Sequence, residues 1–239
     1  MRSLLFACRQ DPVGVFLGVG IFGCLSSLAV PLIIGMVMLL ISGCATAPDF
    51  PDARDTAVKV ANGFGHGSGT VISPDTILTA AHVVRDGETL DVEFADGRTA
   101  KATVIWRDEA SDAALMKLAV PEKRWATVDC KPLNMGDRVF TFGNPGFLRF
   151  VLTDGIVSGV ETMGMQKASL PEGMPIEIEP MIVVSADWEP GDSGAAVFDT
   201  KGRVRGLVSI VFGTDRGGVS NNGLITPVTV LPMCKGKAA

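Results

Sequence analysis

Glu189-Pro190-Gly191-Asp192-Ser193-Gly194-Ala195 sets a serine inside a tight turn. Pro190 fixes its own φ and pushes Glu189 towards extended geometry. Gly191 is free to take backbone angles closed to other residues, and Gly194 leaves room for a bound molecule to approach. Two readings are open. Pro-Gly-Asp-Ser-Gly is ordinary turn chemistry. It is also what a nucleophilic serine needs, because the hydroxyl is weak near neutral pH and works only where backbone N–H groups can meet a developing oxyanion. Partners elsewhere in the chain separate the two.

Upstream, Leu78-Thr79-Ala80-Ala81-His82-Val83-Val84 places one of the two histidines just after an apolar strand. Alone, His82 reads as a satisfied rim residue; beside a serine, imidazole is the side chain whose pKa suits a general base. Ser111-Asp112-Ala113-Ala114-Leu115 supplies a carboxylate that can fix the imidazole tautomer. Its plainer reading is a loop-end Asp bonding its own backbone. The body of the chain is written in short β-branched and apolar runs, among them Ala57–Ala61, Thr76–Thr79, Thr89–Phe94, Ala113–Leu118 and Met181–Ala186. Ser-Pro-Asp, Arg-Asp-Gly, Asn-Pro-Gly and Thr-Lys-Gly separate them, each a turn signal. About twelve strands in an all-β chain give antiparallel barrels or a sandwich. A break near Pro121–Pro132 divides them into two sets of about six, and Ala80–Val84 and Thr226–Met233 are short helical candidates.

Taken together, Gly67-Ser68-Gly69-Thr70-Val71-Ile72, Thr79-Ala80-Ala81-His82, Ser111-Asp112-Ala113-Ala114-Leu115, Gly143-Asn144-Pro145-Gly146, Thr153-Asp154-Gly155-Ile156-Val157-Ser158-Gly159 and Pro190-Gly191-Asp192-Ser193-Gly194 resemble the trypsin-like serine proteases. The similarity is greatest to the bacterial high-temperature-requirement type and runs from about Ala57 to Val230. The resemblance implies two six-stranded antiparallel β-barrels, about 57–120 and 130–230, within a protease domain of 57–235. It implies His82, Asp112 and Ser193 as the catalytic triad, and the N–H groups of Gly191 and Ser193 as the oxyanion hole. Ser209–Val211 would pair with the substrate backbone as an added strand. Asp187, six residues before the serine, falls where the trypsin-like pattern puts the base of its specificity pocket, which would favour Arg or Lys. The alternative is a solvated carboxylate, since the high-temperature-requirement group prefers small aliphatic residues. Nothing like the trypsin activation site precedes Ala57, so Asp192 needs a partner other than a new N-terminus. The chain ends too soon after Ser193 for the peptide-binding domain that usually follows in that group.

Residues Val13 to Ser42 form a run of 30 without a charge, after Arg2 and Arg9. That is long enough to cross a bilayer. Ile41-Ser42-Gly43-Cys44 at its end resembles a bacterial lipobox, which makes Cys44 a lipidation site; an uncleaved single-pass anchor is the alternative. The expected organisation is a leader at 1–43, a flexible tether at 44–56 and a catalytic body exported to the periplasm-facing side. Export permits a disulfide between Cys130 and Cys234, but two free buried thiols are expected.

A net charge of −5 without a concentrated basic segment sets nucleic acid aside. The glycine-spaced run Gly63 to Gly69 fits no phosphate-binding pattern and is expected to form a flexible lip. His66 within it has no metal-spaced companion, so neither a metal nor a cofactor is expected. Trp188 is expected to be a packing residue. The function expected is a membrane-tethered serine endopeptidase acting on protein or peptide. The competing readings are a catalytically silent peptide-binding module and an esterase, the latter disfavoured by the absence of a Gly-x-Ser-x-Gly elbow.

Overall fold

A computed structural model describes residues 50–63, 65–85, 88–161, 181–213 and 219–236. The apolar leader and Cys44 lie outside the described residues. Within Ala47–Ala239, which form one compact unit, twelve strands run in sequence. The first six are β1 (Ala57–Ala61), β2 (His66–Ser73), β3 (Thr76–Thr79), β4 (Thr89–Phe94), β5 (Thr99–Asp108) and β6 (Ala113–Leu118). The second six are β7 (Arg138–Gly143), β8 (Val151–Glu161), β9 (Met181–Ala186), β10 (Ala196–Asp199), β11 (Val204–Gly213) and β12 (Val219–Pro227). Each set closes into an antiparallel barrel, in the orders β1-β2-β3-β6-β5-β4 and β10-β11-β12-β9-β8-β7. Barrels, not a sandwich, are therefore the outcome, and closure leaves neither sheet an unpaired edge strand.

The strands form where side chains alternate or are wholly buried. In β4, Leu90, Val92 and Phe94 point inward while Thr89 and Asp91 face water, a period of two. In β6 only Lys117 is exposed. The interior of the first barrel runs on into the contact between barrels, where Phe140 stacks on Phe198 at 5.3 Å. A second cluster around Val184, Val197, Val208 and Trp188 fills the other barrel. Trp188 is buried and its indole N–H donates to Thr141 Oγ1 at 3.1 Å, so it packs as expected.

Three expectations change. The glycine-spaced run is not a loose lip, because its second half is β2, paired to β1 from Ala61↔His66 to Ala57↔Thr70. Glycine is required there for close packing: a Cβ on Gly67 would stand 2.6 Å from Val83 Cγ2. The tether is ordered at its end, where α1 (Phe50–Arg54) begins Phe-Pro with Asp52 in its first turn and Arg54 in its last. Proline suits a first helical turn and those charges suit the helix dipole. Ala53 is buried, and Arg124 pairs with Asp55. The two thiols are not free: Cys130 and Cys234 form a disulfide with Cα atoms 5.3 Å apart. Residues before β7 lie along β11, bridging at Val128↔Val204, and Arg205 donates to the carbonyls of Lys131 and Pro132. That places Cys130 against the chain's final turn. A 3-10 turn spans Ala81–Val83, within the first helical candidate; the second proves to be the end of β12 and a 3-10 turn at Val228–Val230.

Candidate active site

His82 stands on the 3-10 turn after β3, and Asp112 on the tight connection from β5 to β6. Asp112 has φ +50, a left-handed conformation that Asp tolerates better than most residues. That bend turns its carboxylate back onto the histidine. Oδ1 accepts from the His82 backbone N–H at 2.9 Å, and Oδ1 and Oδ2 lie 3.0 and 2.9 Å from His82 Nδ1. The Asp112 carbonyl also accepts from Ala81 N–H, so the two turns are stitched twice. From the second barrel, Ser209 Oγ on β11 donates to Asp112 Oδ2, and Thr226 Oγ1 on β12 donates to the Ser111 carbonyl at 2.6 Å. The carboxylate is thus shared across the seam between barrels.

Nδ1 is committed to Asp112, which fixes the tautomer and leaves Nε2 free. The hydrogen bond with Asp112 raises the His82 pKa above the ordinary histidine value, and the carboxylate's charge adds to the rise. Partial burial and the positive charge of Arg107 oppose it. Arg107, on β5, donates from Nε to the Ala81 carbonyl at 3.0 Å and pairs with Glu109.

The serine turn faces this pair across the seam. Gly191 has φ +107 and Gly194 φ +88. Asp192 N–H donates to the Glu189 carbonyl at 3.0 Å. With Pro190 second and a positive-φ glycine third, that is a type II turn. Gly194 has a different reason from the expected one: a Cβ there would meet the Ser68 carbonyl at 2.2 Å, so close packing on β2, not approach from solvent, demands glycine. Ser68 N–H donates to the Ser193 carbonyl at 2.8 Å. A Cβ on Gly67 would lie within 3.0 Å of both the Val83 side chain and the Ser193 carbonyl. The His82 turn and the serine turn therefore flank the same glycine. Among the described residues the Ser193 hydroxyl makes no hydrogen bond to His82, and the N–H groups of Gly191 and Ser193 have no acceptor. Catalytic hydrogen bonds are often long without substrate.

Asp192 is buried, with 1% of its surface exposed, and finds no cation among the described residues. Its Oδ2 accepts from Glu189 N–H at 3.0 Å, while Oδ1 faces the α-carbon of Gly143. Burial pushes its carboxyl up to about 6; the Glu189 N–H opposes the shift and the Glu189 charge adds to it.

Of the remaining expected site residues, Asp187 is exposed and makes no hydrogen bond or ion pair among the described residues. Ser209 is buried and spends its hydroxyl on Asp112. Among the described residues β10 accompanies β11 only as far as Leu207 and the serine turn only as far as Val208, so no strand pairs with Ser209 to Val211 on that side. Sequence reasoning missed Arg107 and Thr226, whose roles depend on contacts 26 and 115 residues away. Among the described residues no three His, Cys, Asp or Glu side chains converge as metal ligands.

Residues 67–207 match the trypsin-like peptidase domain family. The chain is 32% identical over 166 residues to a probable periplasmic serine endoprotease DegP-like of Halomonas elongata, covering 69% of this chain and 33% of that one. It spans about a third of the length of the curated relatives it matches. Among solved structures, the active form of the Rv3671c protease from M. tuberculosis is 26% identical, covers 76% of this chain and 79% of its own, and superposes with a TM-score of 0.63. The HtrA-type protease AlgW with tripeptide shares the fold at 23% identity and TM-score 0.63, over 75% of this chain and 58% of its own.

Proposed function

The chain belongs to the trypsin-like peptidase domain family, and from this premise and the geometry of the seam we propose that it is a serine endopeptidase using His82, Asp112 and Ser193. His82 Nε2 takes the proton from Ser193 Oγ as that oxygen attacks a peptide carbonyl. The N–H groups of Gly191 and Ser193 receive the oxyanion. As the C–N bond breaks, His82 returns the proton to the leaving amine, and an acyl-enzyme remains on Ser193. Water, deprotonated by His82, attacks that ester, and the acid leaves as Ser193 recovers its proton. Asp112 holds the imidazole in place and steadies the imidazolium. A substrate strand lies along the open edge of β11 at Ser209 to Val211.

One observation carries this reading: an Asp112-bound imidazole shares a seam with a serine turn whose two N–H groups are unengaged among the described residues. Casein cleavage by the wild type and by Ser193→Ala tests it. Loss of the nucleophile typically costs about a millionfold in turnover. Equal rates would end the assignment, and a folded but inactive wild type would favour the silent peptide-binding module.

The same proposal includes export and anchoring at the membrane, through lipidated Cys44 or an uncleaved helix. Support comes from the uncharged run before Cys44, from the periplasmic description of a relative, and from the Cys130–Cys234 bridge, which suits an oxidising compartment. Metabolic labelling with a palmitate analogue separates the modes. Label lost in Cys44→Ser assigns the lipid, whereas no label on a membrane-bound wild type assigns the helix.

A further inference from the structure

In the trypsin pattern the aspartate before the nucleophile pairs with a cation, yet Asp192 has none among the described residues and only a backbone N–H for company. Something else must hold the turn, because glycine crosses between turn types at little steric cost. If the Pro190–Gly191 peptide rotated, the Gly191 N–H would swing out of the seam and a carbonyl oxygen would enter, opposing any oxyanion.

Every carbonyl of the turn is tied back. Glu189 O accepts from Asp192 N, Pro190 O from Gly146 N, and Asp192 O from Ala195 N, at 3.0, 2.9 and 2.9 Å. The remaining two carbonyls both go to one residue. Ser68 N–H donates to Ser193 O at 2.8 Å, and Ser68 Oγ donates to Gly191 O at 2.7 Å. The direction of that hydroxyl proton is forced. Ser68 Oγ already receives Asn144 N–H and Asn144 Nδ2–H, each at 3.0 Å, so both its acceptor sites are filled and its only donor must point at Gly191. Ser68 and Asn144 are fully buried, where a half-made network is costly. Asn144 is in turn braced, its Oδ1 accepting from Phe150 N–H and its carbonyl lying 2.8 Å from His66 Nε2. That contact puts the His66 proton on Nε2.

We propose that Ser68, oriented by Asn144, is the positioning residue that keeps the oxyanion turn in its working conformation, taking the place of a charge pair to Asp192. Ser68 touches no reacting atom. Its two bonds anchor Gly191 O and Ser193 O, one peptide beyond each oxyanion N–H; the peptides that carry those N–H groups are tied by Gly146 N–H and Ala195 N–H, and Ser68 holds the frame on which they are set, so it acts on the transition state and not on substrate binding. The proposal rests on the serine-peptidase reading above.

The test uses the full chain, a chromogenic peptide amide and a peptide boronate that mimics the tetrahedral intermediate. Removing one oxyanion donor outright costs about 100- to 1000-fold in kcat, and misaligning it costs less. Ser68→Ala is expected to lower kcat by about 10- to 100-fold with KM within about twofold, and to weaken the boronate by the same factor as kcat. The pH profile should keep its shape. Ser68→Cys, which has a similar shape and a weaker donor and acceptor, should fall between the two, and it decides the matter if the alanine variant does not fold. A folded variant with kcat and boronate affinity within twofold of wild type overturns the proposal, as does a loss confined to KM. An inactive wild type would sink the peptidase reading itself, whereas an active wild type with indifferent Ser68 variants sinks only this inference.

Discussion

Replacing Asp192 with asparagine isolates the cost of burying one carboxylate that meets no cation among the described residues. Its carboxyl moves from 3.8 to about 6, chiefly through burial. Two units at about 1.36 kcal/mol each come to about 3 kcal/mol of preference for the neutral acid in the folded state. The sign follows from proton counts. Between those two values the folded protein holds more protons than the unfolded chain, so this group's contribution to stability falls as pH rises and then levels off. It favours folding at acid pH and opposes it at neutral pH. Asparagine keeps the shape and does not titrate. Whatever its amide loses against Gly143 is independent of pH, so the wild-type minus Asp192→Asn difference carries the titration alone. Urea unfolding followed by tryptophan fluorescence, in which buried Trp188 reports the second barrel, measures that difference from about pH 3.5 to 7.5. It should fall by about 3 kcal/mol over the range. A flat difference would refute the claim that Asp192 is buried unpaired. A difference that rises with pH would show that a cation reaches it.

Other consequences can be checked separately. His82 must be neutral to act as a base, and Asp112 raises its pKa, so kcat/KM should rise with pH through a midpoint above the ordinary histidine value. Arg107 opposes that rise, so Arg107→Met should move the midpoint further towards alkaline pH and Arg107→Lys should largely restore it; an unmoved midpoint would remove the charge effect. By linkage, the His82–Asp112 interaction stabilises the fold fully below the ordinary histidine pKa and fades as pH rises through the folded value; Asp112→Asn should abolish that trend in urea unfolding. Cys130→Ser with Cys234→Ser opens a link spanning 104 residues and should cost about 2–4 kcal/mol of stability, and equal urea midpoints would contradict a formed bridge. Asp187 is exposed and makes no ion pair among the described residues, so an Arg-amide peptide should be cleaved no faster than a Val-amide peptide, and a clear Arg preference would make Asp187 the pocket base.

What the amino-acid order carried well was anything local and periodic. The alternation in Thr89–Phe94 and the buried run at Ala113–Leu118 mark strands on their own, because inward and outward side chains differ in kind. His82, Asp112 and Ser193 stand out as candidates through short motifs whose order matches a known group. What failed to show was held by distant contacts. The His66–Gly69 half of β2 reads as a lip because glycine has no strand preference to declare, and only the pairing with β1 and the crowding by Val83 and Ile77 make it a strand. The Cys130–Cys234 bridge depends on the path of the segment before β7 along β11, which no spacing rule reveals. Ser68 was visible in Gly67-Ser68-Gly69 as a family landmark, but its grip on Gly191 spans 123 residues and appears only in three dimensions.

The central claim is that Ser193 is a hydroxyl activated by the Asp112-bound His82. The most direct measurement is peptide mapping after reaction of the full chain with a fluorophosphonate, beside His82→Ala and Ser193→Ala. A single adduct on Ser193 is expected in the wild type, none in Ser193→Ala, and labelling slowed by orders of magnitude in His82→Ala. An adduct on another residue, or equal labelling of wild type and His82→Ala, would contradict it.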